Sequence, residues 1–378
     1  MTVVVVGAGW SGAVVARELH DAGIAVHVVE QTDVVGGHAR CEQLNGVVYE
    51  PNGAHIFHTS NARVADYVTR FGMTRPYEHR VVTRVHLADD DEDGVLLSWP
   101  PQVGELRALP DWPAIEGELA ALPAHPGGDD FETWVVSLMG RRLYRLFIEH
   151  YTRKQWGCEP SSLSSRIAPR RVELRTDGDT RLFRDTWEFF PPAGAGTIIE
   201  SILAPIPVTC GHMVTADDVL RVEGNVEAVV VTAPLDDFLG RPGQLPWRGI
   251  RMVSRYFPTA ELTETRTPAY VVNHPSPRVP YTRTVETKHA SGQRVHGTVV
   301  SEEHPGAPAR HYPVPTVDGR NERDNDDLRR EAMMRLAGVP TFFCGRLATY
   351  AYIDQDQAIE RAFLCADEVM QTLSTGRR

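Results

Sequence analysis

Three glycines near the start of the chain, Gly7, Gly9 and Gly12, stand in the order Gly-x-Gly-x-x-Gly. An apolar strand, Val3 to Val6, precedes them, and an amphipathic helix to about Leu19 follows. A second strand, Ala25 to Val29, ends in Glu30. Glycines in this strand–turn–helix–strand setting bind a dinucleotide. Gly7 lets the chain turn sharply, Gly9 lets the backbone approach a pyrophosphate, and Gly12 lets the helix pack on the strand. The helix N-terminus offers N–H groups and partial positive charge to the phosphates. Glu30, about 20 residues on, is placed to accept hydrogen bonds from a ribose, which favours a free 2′-hydroxyl over a 2′-phosphate. Gly36-Gly37 follow soon after. A Gly-Gly pair there suits a second loop passing close to FAD, whereas an NAD domain continues into another helix. FAD is therefore the expected dinucleotide.

Other side chains could do chemistry. His55 and His58 could ligate a metal, but no third ligand clusters near them, and no metal is expected. Arg283, in Pro280-Tyr281-Thr282-Arg283, can hold a diphosphate with a fork of N–H donors. Phe147 and Tyr151, four apart on a helix, present two rings on one face, either to sandwich a pyrimidine base or to pack the helix. Tyr312 and Tyr352, taken alone, read as half-buried core residues. The run Asp89-Asp90-Asp91-Glu92-Asp93 lacks the alternation of a calcium loop and reads as a solvated hairpin loop.

With 378 residues and 42% apolar content, two or three domains, or one with large insertions, are expected. The balance of 39 basic against 50 acidic residues gives a net charge of −11, which disfavours nucleic acid as a partner. A few arginines inside a cleft can still bind a diphosphate. The five cysteines are scattered without a C-x-x-C spacing, which argues against zinc and a disulfide framework and fits a reducing cytosol. The apolar start has no basic flank and is broken by Gly7 and Gly9, unlike a signal peptide. No run of about 18 apolar residues appears, so no membrane contact is expected and a cytoplasmic location is.

The elements that must position these residues can be read coarsely. A helix is expected from Ala62 to Phe71, strands over Arg80 to Leu87 and Gly94 to Trp99, and helical structure over 101–168. Within the last, Phe131 to Tyr151 has its apolar residues at three to five spacings. Pro160 to Asp185 reads as a mobile loop and 194–203 as a helix. Strands follow at Val226 to Thr232, Met252 to Phe257, Pro280 to Val285 and His296 to Ser301. Near the end, Thr341 to Leu347 reads as strand then turn, and Gln357 to Thr372 as a helix. The expected class is α/β: a Rossmann-like FAD-binding domain (1–78, 186–235 and 320–378), an inserted helical domain (100–168), and an antiparallel β-sheet domain (79–99, 169–185 and 236–319).

Several motifs together resemble the flavin-dependent UDP-galactopyranose mutases along nearly the whole chain. Gly53-Ala54-His55-Ile56-Phe57-His58-Thr59 resembles that family's flavin-contacting segment, and Tyr151-Thr152-Arg153-Lys154-Gln155-Trp156-Gly157 its nucleotide-binding signature. Val279-Pro280-Tyr281-Thr282-Arg283 and Tyr312-Pro313-Val314 resemble its diphosphate elements. Gly345-Arg346-Leu347 with Tyr352-Ile353-Asp354 resembles its C-terminal flavin and substrate segment. The resemblance implies interconversion of pyranose and furanose forms of a nucleoside-diphosphate sugar, with no net redox change. It implies a reduced FAD whose N5 attacks the anomeric carbon, displaces the diphosphate and forms a covalent adduct.

By the same resemblance Phe147, Tyr151, Thr152, Trp156, Asn273, Arg283, Tyr312 and Tyr352 bind substrate. Arg171, with Arg170 as the alternative, is the mobile-loop arginine that swings over it. His55 and His58 lie beside the flavin, where a histidine near N5 responds to its redox state. Arg346 meets the FAD pyrophosphate, and Asp354 lies near flavin and substrate. Arg283, Arg171, His58 and Asp354 are the expected catalytic residues, and a homodimer is implied.

The chain departs from the family where the sugar and phosphates should lie. His79 stands for a common Asn, Trp99 for another apolar residue, and Pro101-Gln102-Val103 for the usual followers. Leu182 stands for a phosphate-binding Tyr, Ala195-Gly196-Thr197 for Gly-Tyr-Thr, and Pro315 for Asn. These changes point to a sugar other than galactose: deoxygenated, oxidised or modified. Two other classes compete. An FAD oxidoreductase of the amine oxidase or desaturase type would be bleached by its substrate at each turnover. A non-catalytic sensor of redox state or nucleotide sugars would bind without forming product.

Overall fold

The valines of the first strand, Thr2–Val6, alternate between two cores. Val3 and Val5 pack under helices Trp10–Asp21, Ala195–Leu203 and Gln355–Gly376. Val4 and Val6 pack against Leu235, Phe238, Leu328 and Ala332 on the opposite face. Burial on both sides is what a parallel sheet covered by helices requires. A computed structural model describes residues 2–88, 91–167 and 172–376 of the chain. In it five parallel strands run in the order Val208–Thr209, Val26–Val29, Thr2–Val6, Val226–Val231, Thr341–Phe343. The first and last strands of the sheet come from distant parts of the chain, so the sheet is discontinuous in sequence.

A second sheet of six strands has the order Trp247–Phe257, Thr298–Pro313, Arg283–Val285, Val271–Asn273, Val81–Val85, Val95–Trp99. Its pairs are antiparallel except Val271–Asn273 with Val81–Val85, which run parallel. One register line crosses four of these strands and aligns Thr83, Asn273, Arg283 and Glu303. Since side chains alternate faces with period two, aligned partners share a face. A third, three-stranded sheet joins Phe57–Thr59 and Arg75–Pro76 to Trp187–Phe190.

The helical region holds Trp112–Ala120, Phe131–Leu143 and His150–Trp156 around a separate core that includes Leu106, Val135, Met139 and Phe147. The continuous helix expected from Phe131 to Tyr151 is broken. Gly140 adopts φ +81°, and Tyr144–Glu149 forms a π-helical segment. Glu118 of the neighbouring helix causes the break to fit: it accepts the Arg142 N–H at 2.9 Å, and a Cβ on Gly140 would lie 2.7 Å from its Oε2. The C-terminal helix begins two residues earlier than expected, at Gln355. The helix Arg320–Arg335 has no counterpart among the expected elements. Among the described residues no helix is long and apolar enough to cross a membrane.

Candidate active site

Two cavities share part of their lining. The first is a groove at the C-terminal ends of the parallel strands, lined by Gly7, Gly9, Glu30, Gly36, Gly37, Gly345 and Arg346 among others. Ligands bind at this end of an open α/β sheet. Gly7, at φ +103°, abuts Thr232, whose Oγ1 would lie 2.2 Å from a Cβ at that position. A Cβ on Gly12 would lie 1.9 Å from the Gly7 carbonyl oxygen. Gly12 therefore serves the packing of helix on strand and does not line the groove. Gly9 is different. A Cβ there would meet nothing nearer than the Gly37 Cα at 3.9 Å, so no protein atom excludes a side chain. Bare backbone on both sides of the groove fits a pyrophosphate drawn close to both loops.

Glu30 is nearly buried, and both its oxygens are engaged: Oε2 accepts the Ala8 N–H at 2.8 Å, and Oε1 accepts Thr32 N–H and Oγ–H at 2.9 and 2.8 Å. These bonds fix the carboxylate beside the Gly7–Gly9 turn, where a ribose hydroxyl can add to them. His38, just after Gly37, stacks on His311 with ring centroids 4.4 Å apart. Burial first, and then the other ring, pushes His38 well below the usual imidazole range, and burial brings His311 down to about 4. Both rings are therefore neutral at pH 7. The only sequence signal for this pair was the position of His38 beside two glycines.

The second cavity is a chamber between the helical region and the six-stranded sheet. It collects His55, His58, Phe147, Tyr151, Thr152, Trp156, Asn273, Arg283, Tyr312, Arg346, Tyr352 and Asp354. Every expected substrate residue within the described part of the chain thus lines one space; Arg171 and Arg170 lie outside the described residues. Phe147 belongs to the π-helical segment and Tyr151 to the next helix. Trp156, Tyr312 and Tyr352 form a cluster with centroids 5.6 to 6.3 Å apart. The Arg346 guanidinium carbon sits 5.5 and 5.7 Å from the Tyr312 and Tyr352 centroids, within cation–π reach. Burial pushes the Tyr312 phenol up to about 12, so it stays a hydrogen-bond donor.

Arg283 reaches the chamber from the register line. Its Nε and Nη2 lie 3.1 and 2.6 Å from the two oxygens of Glu303, which is fully buried. Sequence reading missed Glu303; only strand register brings it beside Arg283. Lys154 was also missed. Its Nζ lies 2.6 to 3.2 Å from the carbonyls of His274, Ser276, Val279 and Tyr281. The helix that carries Tyr151 and Trp156 is thereby tied to the loop that delivers Arg283.

His58 Nδ1 lies 2.7 Å from Asp185 Oδ2, and its ring stacks on Phe183 at 3.5 Å. His55 is held by its N–H, 2.8 Å from Glu50 Oε1, while its buried Nδ1 lies 3.9 Å from the same oxygen and makes no hydrogen bond among the described residues. Burial, then Arg346, lowers its pKa to about 3. His58 lines the chamber alone, whereas His55, Arg346, Asp354 and Gln355 line both cavities. Gln355 pins this junction: its Oε1 accepts the Trp10 indole N–H at 2.6 Å, and its Nε2 donates to the carbonyls of His55 and Ile56 at 3.1 and 3.2 Å. Arg346 donates to the Ile353 and His311 carbonyls and faces no carboxylate partner among the described residues. An uncompensated guanidinium at the junction suits anionic phosphates.

The departures His79, Trp99 and Leu182 also line the chamber. His79 is 4% exposed; burial, then His58 and Arg283, bring it to about 3. No group of three or more His, Cys, Asp or Glu side chains suited to a metal occurs among the described residues.

Comparison with known proteins finds two family models. Residues 146–352 match the UDP-galactopyranose mutase model, and residues 5–71 match an NAD(P)-binding Rossmann-like domain. The chain is 28% identical over 382 residues to a Klebsiella pneumoniae protein named "Probable UDP-galactopyranose mutase", covering 98% of this chain and 95% of that one. It is 26% identical over 383 residues to the dTDP-fucopyranose mutase of Escherichia coli, covering 96% and 97%. Its fold matches a crystal structure of reduced UDP-galactopyranose mutase with TM-score 0.80 at 17% identity, covering 98% and 96% of the two chains.

Proposed function

Because this chain belongs to the UDP-galactopyranose mutase family and is an isomerase of nucleotide sugars, we propose that it interconverts the pyranose and furanose forms of a nucleoside-diphosphate sugar other than UDP-galactose, using reduced FAD in the cytoplasm. The observation that carries this reading is the junction: a glycine-lined groove and an arginine- and aromatic-lined chamber share His55, Arg346, Asp354 and Gln355. Reduced FAD, when bound, would supply a nucleophilic N5 at the anomeric carbon.

The side chains divide the remaining tasks. Gly9, Gly37 and Glu30 hold the dinucleotide, and Arg346 balances phosphate charge where the cavities meet. Phe147 and Tyr151 offer aromatic faces to the base. Arg283, oriented by Glu303, presents guanidinium N–H groups to the diphosphate, and Tyr312 donates a phenolic hydrogen bond. Holding the leaving diphosphate close makes its return intramolecular, an advantage worth several powers of ten in rate. His55 stays neutral at the junction and His58 is oriented by Asp185. Asp354 is the carboxylate that lines both cavities, and Arg171 is the cation proposed to complete the phosphate site.

The test is a product assay on the purified flavoprotein, reduced by dithionite, with a panel of nucleotide sugars. A product of equal mass and new retention, formed only with reduced flavin, is expected. Bleaching of the oxidised enzyme's flavin by a substrate, with no isomer formed from any sugar by the reduced enzyme, would replace the mutase reading with an oxidoreductase.

A further inference from the structure

His58 lines the chamber as a ring held in three ways. Its strand, Phe57–Thr59, is paired with Trp187–Phe190, and its face stacks on Phe183 with centroids 3.5 Å apart. Its Nδ1 lies 2.7 Å from Asp185 Oδ2, and Asp185 is itself fixed, its Oδ1 accepting the Ser60 hydroxyl at 2.7 Å. A carboxylate accepts and cannot donate, so Nδ1 carries a proton, and in the neutral ring Nε2 presents a lone pair. Nε2 has no hydrogen-bond partner among the described residues. His79, another lining residue, lies within electrostatic range of both His58 and Arg283. A sugar whose diphosphate is held by Arg283 and whose anomeric carbon is at the junction therefore occupies the space that His58 lines. Other titratable groups there are poorly suited to moving protons. Burial first brings His55 and His79 to about 3, so neither holds a proton to give near pH 7. Burial pushes the Tyr151 phenol up and the Tyr312 phenol to about 12, so neither readily gives one up. Asp354 and Tyr352 remain as rivals.

Exchanging ring size moves one proton. Opening the pyranose breaks the C1–O5 bond, the electron pair stays on O5, and O5 takes up a proton. Closing the furanose forms the C1–O4 bond and releases the O4 proton. Electron demand at C1 is met by the nucleophile that the mutase reading already supplies. O4 and O5 sit on adjacent carbons, so one group can serve both, and an imidazole can give and take a proton at the same nitrogen. Resting on the mutase reading above, we infer that His58 carries this proton at Nε2, giving it to O5 on opening and recovering it from O4 on closure, with Asp185 as the positioning residue that holds the ring and pairs with the imidazolium. No electron is gained or lost, and His58 ends in the protonation state in which it began.

The test uses the reduced holoenzyme and a panel of UDP- and dTDP-linked hexopyranoses carrying 18O in the bond from C1 to the diphosphate. Scrambling of the label into the phosphate reports departure and return of the diphosphate; isomer formation reports ring exchange. His58→Gln should keep scrambling and lose isomer formation by roughly a hundred- to ten-thousandfold, the scale of a lost general acid–base group. Asp185→Asn, nearly isosteric at a partly exposed position, should lower kcat by a smaller factor with little change in KM, and flavin retention reports a native fold in both variants. Independently of turnover, 15N NMR of the oxidised holoenzyme should show the Nδ1–H tautomer at His58, and Asp185→Asn should shift it. Undiminished isomer formation in His58→Gln, parallel loss of scrambling, an Nε2–H tautomer in the native protein, or loss of ring exchange alone in Asp354→Asn or Tyr352→Phe but not in His58→Gln overturns the inference and leaves the mutase reading standing. No isomer from the native enzyme with any sugar of the panel overturns both.

Discussion

Arg283 and Glu303 stand opposite each other on neighbouring antiparallel strands, and both carboxylate oxygens of Glu303, which has no solvent exposure, meet the guanidinium. The pair orients the cation without leaving the carboxylate uncompensated in the sheet. Burial and the Glu303 charge act in opposite directions on Arg283, and its pKa is raised well above the usual range.

Removing one member of this pair is expected to cost more than removing both. Arg283→Met strands a buried charge, a change that typically destabilises by about 3–5 kcal/mol. The double variant Arg283→Met, Glu303→Met should recover most of that stability and none of the nucleotide-sugar affinity. Urea denaturation together with ligand titration separates the two effects. Arg283→Lys, which keeps charge but loses the fork, should fall between them in affinity.

Gly9→Ala and Gly12→Ala, only three residues apart, should fail for different reasons. The added methyl at Gly9 meets no protein atom within 3.9 Å, and Gly9 has φ −82°, which alanine tolerates. The variant should fold with near-normal thermal stability and lose FAD on gel filtration. At Gly12 the methyl would sit 1.9 Å from the Gly7 carbonyl, so the expected result is little folded protein. A Gly9→Ala protein that retained FAD fully would contradict the proposed close approach of backbone to pyrophosphate.

Glu50 makes stability depend on pH. It is buried beneath His55, accepts hydrogen bonds from His55 N–H, Tyr270 O–H and Thr287 O–H, and also feels Arg283. Burial nonetheless dominates and raises its pKa from 4.5 to about 7. Between those values the folded chain holds a proton that the unfolded chain has released, so this group's contribution to stability falls as pH rises. Denaturation midpoints measured from pH 4.5 to 7.5 should show this downward component in the native sequence and lack it in Glu50→Gln.

Lys154→Met should raise KM more than it lowers kcat. The ammonium ties four carbonyls of the 274–281 loop to the helix bearing Tyr151 and Trp156. Without it those carbonyls lose their donor and the approach of Arg283 to the diphosphate loosens. A several-fold rise in KM with a smaller change in kcat is expected from steady-state kinetics; equal losses in both would point instead to a general failure of folding.

Much of this architecture was legible because it is written locally. Val3 to Val6, the three glycines and Glu30 lie within one short segment, and their spacing alone requires a turn over a phosphate. Arg283 and Tyr312 were found through short runs of neighbours. Glu303 was not, because its partner is 20 residues away and only register makes them adjacent. Lys154 was hidden for a similar reason: its acceptors are backbone carbonyls, which have no sequence signature. Gly140 was read as part of a helix because a helical pattern tolerates one glycine; the opposing Glu118 that exploits its positive φ comes from another helix. The helix Arg320–Arg335 buries only Asn321, Asn325, Leu328 and Ala332, too narrow and too polar a stripe to stand out among charges.

Gln355 joins the indole of Trp10 to the His55–Ile56 backbone across some 300 residues of sequence, and the sheet that carries Gly7 and Gly9 is completed only by Thr341–Phe343. Contacts this distant in sequence form late, because the entropy of closing long loops is spent before they reward it. During synthesis the phosphate-binding turn is made long before Thr341–Phe343 and Gln355, which complete its surroundings. The cofactor site should therefore be complete only once the helix Gln355–Gly376 has docked. Until then, the apolar edges of a half-built sheet stand open to chaperones and to aggregation.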